Sequence, residues 1–298
     1  MKNTWNRLGF LNAREFCSYL LRSAVILLLA LCTLLPLAMM VLTSLKTGSE
    51  VSGMGFRLLP ASPRFQNYVE VLTGSNWPLY ILNSVIVTVL TTVISLVFNL
   101  LAGYAFARLR FPLRKPLFYS VLLGLMVPMQ VNLVPVFILI KSVPLIGGNN
   151  LLGQGGTGAI NTLLGIMLPS LAGAFGIFLA RQFYLGFPRA LDEAAKMDGA
   201  GAWRIFASIY LPLSKPLLAS LGVIKITTVW NDYLWPLVIT YSEGVRTVQL
   251  ALGLYKDAMV RWELLMAAAT IVVLPLAVVF LCAQRFFVEG IVTSGIKE

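Results

Sequence analysis

Twenty-seven consecutive residues, 81–107, contain no charged side chain. About 20 apolar residues suffice to cross the hydrocarbon core of a bilayer as a helix. Five further runs reach that length: 23–44, 117–140, 161–183, 216–240 and 262–283. In lipid every backbone amide must be paired internally, which restricts spanning segments to helices and closed barrels, and runs of this length suit helices. The pattern predicts an all-α membrane protein with six transmembrane helices. Composition agrees, because 58% of the 298 residues are hydrophobic and only 12% are charged, too few charges to cover a soluble domain. The first run has a longer apolar core than a signal peptide and no A-x-A site after it, so it reads as a retained span.

Sidedness follows from Lys and Arg. Segments 1–22, 108–116, 181–215 and 284–298 together hold fifteen, the alternate segments 45–80, 141–160 and 241–262 hold seven, and Lys225 lies within a span. Cytoplasmic loops carry the excess of positive charge, which places both termini and the 184–215 loop in the cytoplasm of a multi-pass protein. The same clustering beside apolar runs accounts for the net charge of +11 without a nucleic-acid partner. Residues 1–22, with Arg interleaved among aromatic and aliphatic residues, read as an interfacial segment on membrane lipid. Residues 23–283 read as one six-span membrane domain and 284–298 as a cytoplasmic tail. The stretch 146–159 is rich in Gly and reads as a flexible loop.

Catalysis finds little support. The chain has no His, the commonest general base and metal ligand. Cys17, Cys32 and Cys282 follow no ligand spacing, and Cys32 and Cys282 fall in apolar runs where buried, inert thiols are expected. No metal set and no nucleophile beside a base is apparent.

One cytoplasmic stretch is unlike its surroundings: EAAKMDGAGAWRIFASIYLPLSKP, 193–216. A short helix over about 189–197 would place Leu191, Ala194, Ala195 and Asp198 on one narrow face and Arg189, Glu193 and Lys196 opposite, spaced for i,i+3 and i,i+4 pairing. Gly199 would end it. A second helix over about 203–211 would put Trp203, Phe206, Ala207 and Tyr210 on one face, with Pro212 and Pro216 breaking it before the next span. An amphipathic connector resting on headgroups would also produce such a pattern.

The spacing Glu193-Ala194-Ala195, Gly199, Ile209, Leu211, Pro212 resembles the signature loop of the permeases of ATP-binding-cassette importers, and the longer string is similar to their carbohydrate branch, of which the smaller maltose permease is the type. The strings "SLKTGSE", "AGYAFARLRFPLRKPLF", "VPMQVNLVPVFILI", "WNDYLWPL", "RTVQLALG" and "QRFFVEGIVTSGIKE" carry the resemblance from the first span to the C-terminus. It implies a type I importer permease fold in which the 184–215 loop holds a coupling helix docked on an ATPase. Glu193, Ala194, Ala195, Asp198, Gly199, Ile209, Leu211 and Pro212 would form that contact. The tail residues Gly290, Gly295 and Lys297 would reach the ATPase dimer, although the tail ends in Glu298 after the Lys, a small departure. The implied partners are a second permease, an ATPase dimer, an extracytoplasmic solute-binding protein touching 249–257, and a sugar substrate. The location is the bacterial inner membrane. No cofactor is expected on this chain: it contains no Gly-Lys pair and hence no phosphate-binding P-loop, leaving ATP and Mg to the partner.

Within the spans, Lys225, Thr228 and Asp232 would share about 60° of arc on a regular helix. With Asn231, and with Gln130 and Asn132 near the kinks expected at Pro128 and Pro135, they could line or gate a pathway. Equally, Lys225 could snorkel and the amides could join helices. The rival readings are a permease for another solute, such as glycerol 3-phosphate, and a stand-alone channel or secondary transporter, for which no internal repeat is seen.

Overall fold

The computed structural model describes residues 13–295 except 54, 56 and 256–259, with side chains from 17 to 284. The described residues form helices and no strand. They divide into two compact units, described separately.

The first unit holds 13–71 and 260–271. Helix α1 (Ala13–Ser44) is unbroken, with Pro36 inside it. From residue 17 through 37 its side chains are exposed, an apolar surface that suits lipid or another subunit rather than water. Cys32 is on this surface, and Cys282 is likewise exposed near the chain's other end. Both thiols were expected to be buried, but an apolar run in a membrane helix need not face protein. After α1, Asn67 Nδ2 donates to Ser44 O and Lys46 O at 2.8 Å each, satisfying carbonyls at the helix end. Helix α2 (Gly48–Ser52) starts with a Thr47–Glu50 capping box and is followed by α3 (Gln66–Gly74).

The second unit holds 72–255 and 272–295. Its axis is α4 (Trp77–Arg108). One face of α4 is a buried row of small and polar residues, among them Thr91, Ser95, Asn99, Gly103 and Ala107 at i,i+4 spacing. Small residues let membrane helices approach closely, and this row receives α8 (Ala174–Leu185), which follows α5 (Arg114–Met126), α6 (Met129–Lys141) and α7 (Leu163–Met167). A Cβ on Gly103 would sit 2.4 Å from Ala180 Cβ, and one on Gly176 would sit 2.2 Å from Asn99 Nδ2. A larger residue at Gly103 would force the helices apart, and one at Gly176 would displace the Asn99 side chain. Asn99 also accepts from Gly173 N at 3.2 Å.

Beyond α8 come α9 (Ala190–Met197) and α10 (Ala202–Ile205), the latter continuing through a π turn at Phe206–Tyr210 into α11 (Leu211–Leu213). Then follow α12 (Lys215–Trp230), α13 (Leu234–Ile239) and α14 (Val248–Leu252). Helix α15 (Trp262–Gly295) begins in the first unit, ends in the second, and passes residue 284 without a break.

Three helices are long and apolar enough to cross a bilayer alone: Cys17–Ser44, Trp77–Arg108 and Trp262–Gln284. Three bent pairs would each make a further span, at 112°, 43° and 76°. The spans expected over 117–140 and 161–183 are therefore not straight rods, and the third bend falls at Ser214, just before the span expected over 216–240. Pro128 breaks the first of them completely between α5 and α6. The preceding Val127 is extended, as a residue before Pro tends to be. Pro135, in contrast, sits inside α6. The third stops at Trp230, ten residues short of the expected end.

The glycine-rich 146–159 stretch also differs from expectation. Asn149 is buried and donates to Lys141 O and Val143 O while accepting from Gly156 N. Asn150 accepts from Leu152 N and Gln154 N. Five of its glycines have positive φ, the conformation that favours Gly. These residues build a hydrogen-bonded turn structure rather than a loose connector.

Candidate functional site

Helix α9 carries acids in its first turn, Asp192 and Glu193, and Lys196 in its last, the order the helix dipole favours. Gly199 has φ +75°. Its N–H bonds Lys196 O at 3.0 Å, and Ala200 N bonds Ala195 O at 2.9 Å, a Schellman termination. A Cβ on Gly199 would meet nothing within 4 Å, so its backbone conformation, not space, favours glycine there.

The faces of α9 divide differently from the expected partition. Ala195 is buried and Asp192 half-buried, while Leu191, Glu193, Ala194, Lys196, Met197 and Asp198 are exposed. Ala195 therefore packs against the chain's own core, away from Ala194.

What holds α9 is a buried ion pair. Arg108 Nη1 lies 3.2 Å from Asp192 Oδ2, with the two side chains only 7% and 14% exposed. Arg108 Nη2 also donates to Tyr184 O and Phe187 O, at 2.5 Å each, and Tyr210 Oη donates to Asp192 Oδ1 at 2.9 Å. The guanidinium stacks over the Tyr210 ring at 5.4 Å. Charge-assisted bonds in a desolvated site are stronger than neutral ones. Leaving either charge unpaired there would cost about 3–5 kcal/mol.

Around the pair stand Tyr104, Tyr184, Phe187, Phe206 and Tyr210, with successive ring centroids 5.0–6.4 Å apart. Ser214 Oγ closes the cluster, 2.6 Å from Tyr210 O and 3.0 Å from Tyr184 Oη. One core thus joins the last turns of α4 and α8 to α9 and to the α10–α11 helix.

On that second helix Ile205, Phe206 and Tyr210 are buried, Ile209 is partly buried, and Trp203 is 69% exposed. Phe206 and Tyr210 are buried together, as one shared face requires, and Trp203, in the first turn, keeps ring contact with Phe206 at 5.8 Å. Pro212 does not break this helix; the break is at Ser214, between Leu213 and Lys215. Leu211 and Pro212 are exposed. The outward surface of 190–213 therefore offers Ala194, Met197 (89% exposed) and Trp203, with Glu193 and Lys196 beside them.

The intramembrane candidates do not form one cluster. Thr228 Oγ1 bonds back to Ile224 O at 2.7 Å. Asn231 donates to Thr227 O and accepts from Gln249 Nε2 at 3.1 Å, tying the end of α12 to α14. Asp232 accepts from Trp235 N at 3.3 Å, at the start of α13. Because α12 ends at Trp230, Asp232 does not share a helical arc with Lys225 and Thr228, which corrects that expectation. No carboxylate among the described residues pairs with Lys225. Gln130 is exposed and Asn132 half-buried on α6, and no hydrogen bond among the described residues joins them to the α12 group. Gly290 and Gly295 lie within α15. Lys297 is outside the described residues, as are 256 and 257 of the expected binding-protein contact.

Arg108, Asp192, Tyr184 and Ser214 were not singled out by sequence. The available signal was an Arg closing a 32-residue helix otherwise free of charge, together with an acid one position before Glu193.

Residues 99–292 match the family model described as binding-protein-dependent transport system inner membrane component. The arabinooligosaccharides transport system permease protein AraQ of Halalkalibacterium halodurans is 30% identical, over 90% of this chain and 93% of its own length. The sn-glycerol-3-phosphate transport system permease protein UgpE of Yersinia pestis is 34% identical, over 94% and 96%. A bacterial ABC transporter involved in the import of the acidic polysaccharide alginate has the same fold, with TM-score 0.77 at 23% identity, over 93% of this chain and 99% of that one. The chain belongs to the binding-protein-dependent transport system inner membrane component family: it is a permease subunit of an ABC importer, a transport component and not an enzyme.

Proposed function

We propose that this permease imports a sugar, forming half of a translocation pathway with a second permease, and that its 184–215 loop receives the stroke of an ATPase dimer in the cytoplasm. The observation that carries the reading is the contrast within that loop. Its outward side presents Ala194, Met197 and Trp203, while its inward side is anchored to α4 by the Arg108–Asp192 pair. A lever needs both a face to be gripped and a rigid mount. The small Ala194 allows close approach, Glu193 and Lys196 supply charge complementarity, and the mount moves α4 with the loop. Closure of the ATPase dimer on ATP would then bias the spans between inward- and outward-facing states through contacts that differ in the two. Both termini lie in the cytoplasm on this reading, and the tail with Gly290, Gly295 and Lys297 extends toward the ATPase. Lys225, Thr228, Asn231, Asp232, Gln130 and Asn132 serve the pathway or its gating.

Purification of the chain from its native cells in mild detergent tests the assembly. One further permease and an ATPase should be recovered in stoichiometric amounts, and recovery of the chain alone would overturn the proposal. Glu193→Lys and Gly199→Trp should abolish transport and weaken ATPase association while membrane insertion persists; normal uptake would contradict the coupling role. For the substrate, a second reading is glycerol 3-phosphate, favoured by the 34% identity to UgpE. Screening the companion binding protein against sugars and against glycerol 3-phosphate separates the two.

A further inference from the structure

An open cavity of about 760 Å³ lies where α4 gives way to α5, against α8. Four cations line it, Arg110, Arg114, Lys115 and Arg181, together with Phe118 and Tyr119. Among the described residues none of the four pairs with a carboxylate. Arg114 and Arg181 approach each other closely enough to share one acceptor: Arg114 Nε donates to Phe106 O at 2.9 Å and Arg181 Nε to the same oxygen at 3.3 Å. Arg114 also donates to Leu109 O and Ala107 O, so these two guanidiniums finish the end of α4. Arg181 stacks on Phe118 at 4.1 Å. Arg110 and Lys115 are exposed. The turn that carries them includes Leu113 at φ +61°, a left-handed conformation that a non-glycine residue adopts only when its surroundings impose it.

Four like charges around one cavity repel one another, and an anion bound among them would relieve that repulsion. The surroundings indicate which anion. Beyond the cations, α5 presents Leu117, Tyr119, Leu123, Leu125 and Met126, all exposed, an apolar flank leading away from the charged opening. A soluble anion has no use for that flank, whereas acyl chains do. We propose that the cavity binds the phosphate headgroup of an anionic phospholipid, with Arg110 and Lys115 as its free cations, Arg114 and Arg181 at its base, and the acyl chains along α5. Basic pockets between spanning helices at a membrane surface have this recognition chemistry.

The test uses the full chain with whatever subunits co-purify. Native mass spectrometry would be recorded with phosphatidylglycerol and with phosphatidylcholine of the same acyl composition. The proposal expects one tightly retained phosphatidylglycerol, preferred by about tenfold or more, with the preference falling toward parity in R110Q/K115Q and part-way in K115Q, as several-fold per cation implies. Neither variant touches the guanidiniums that finish α4. Equal retention of the two lipids, or undiminished preference in R110Q/K115Q, would overturn it. Displacement by millimolar inorganic phosphate would reassign the cavity to a free anion. A photo-cross-linker at Tyr119 should capture lipid, and capture of a polypeptide would make this face a subunit interface instead.

Discussion

At its Arg108 end α4 holds its neighbours through a buried ion pair and a cluster of aromatic rings. Near Trp77 it holds the 241–255 stretch mainly through neutral hydrogen bonds. Asn83 Nδ2 donates to Gly244 O and Arg246 O at 3.0 Å each, Ser84 Oγ accepts from Val248 N at 2.9 Å, and Trp77 Nε1 donates to Tyr255 Oη at 3.1 Å. The two chemistries fail differently. Neutral bonds are worth about 0.5–1.5 kcal/mol each and can be lost one at a time, so a contact built from them can yield gradually. A desolvated ion pair leaves a stranded charge when either member goes, so it holds or fails as a unit. The second kind of joint suits an element that must transmit force without deforming.

The largest expected effect tests that distinction. Asp192→Ala should weaken the mount by about 3–5 kcal/mol and abolish coupled transport in vesicles, with insertion into the membrane retained. An Arg108→Met, Asp192→Leu double variant should recover stability relative to either single change, because no charge is then stranded. Additive single effects in a double-mutant cycle would show that the pair does not act as a unit. At the other end of α4, Asn83→Ala should cost about 1–3 kcal/mol, the loss of two hydrogen bonds worth about 0.5–1.5 kcal/mol each. It should raise amide exchange in 243–248 only, and a global loss of protection would erase the proposed contrast.

A smaller effect is expected at Gly199. With φ +75° and open space around the Cβ position, Gly199→Ala should cost about 1–2 kcal/mol from the left-handed backbone alone, and Gly199→Asn less. Equal effects of Ala and Asn on transport would point to an unmapped steric contact. The smallest effect belongs to the Thr47–Glu50 turn. Backbone N–H groups of Thr47 and Ala61 hold the Glu50 carboxyl below its ordinary value. A depressed carboxylate contributes stability at pH above its unfolded value and loses it as pH falls through the folded one. Acidification below about pH 4.3, the ordinary Glu value, should therefore loosen the 47–61 loop in hydrogen exchange, and Glu50→Gln should make that loop insensitive to pH.

How much of this was legible in sequence depended on the range of the interaction. Helix α9 and its end at Gly199 were legible because charge order and a glycine are local signals. Pro128 marked the position of a break but not its 112° angle, which depends on packing. The face of α10–α11 that carries Phe206 and Tyr210 was legible from local periodicity, whereas the exposure of Trp203 at its first turn was not. Asp192 was not identified because its partner Arg108 is 84 positions away, and the two meet only when α4, α8 and α9 are packed together. The glycines of 146–159 suggested looseness, yet Asn149 and Asn150 supply the hydrogen bonds that fix their turns. Apolar periodicity indicates membrane residence, but it does not distinguish lipid from protein neighbours, so Cys32 and Cys282 were expected inside and are exposed.

The central claim is that the exposed face of α9 is where the ATPase grips this permease. The most direct measurement places a photo-cross-linking residue at Met197 in the assembled complex and identifies the product by mass spectrometry. The account predicts a cross-link to the ATPase subunit that disappears in Asp192→Ala. Capture of lipid alone, or an unchanged cross-link in that variant, would contradict it.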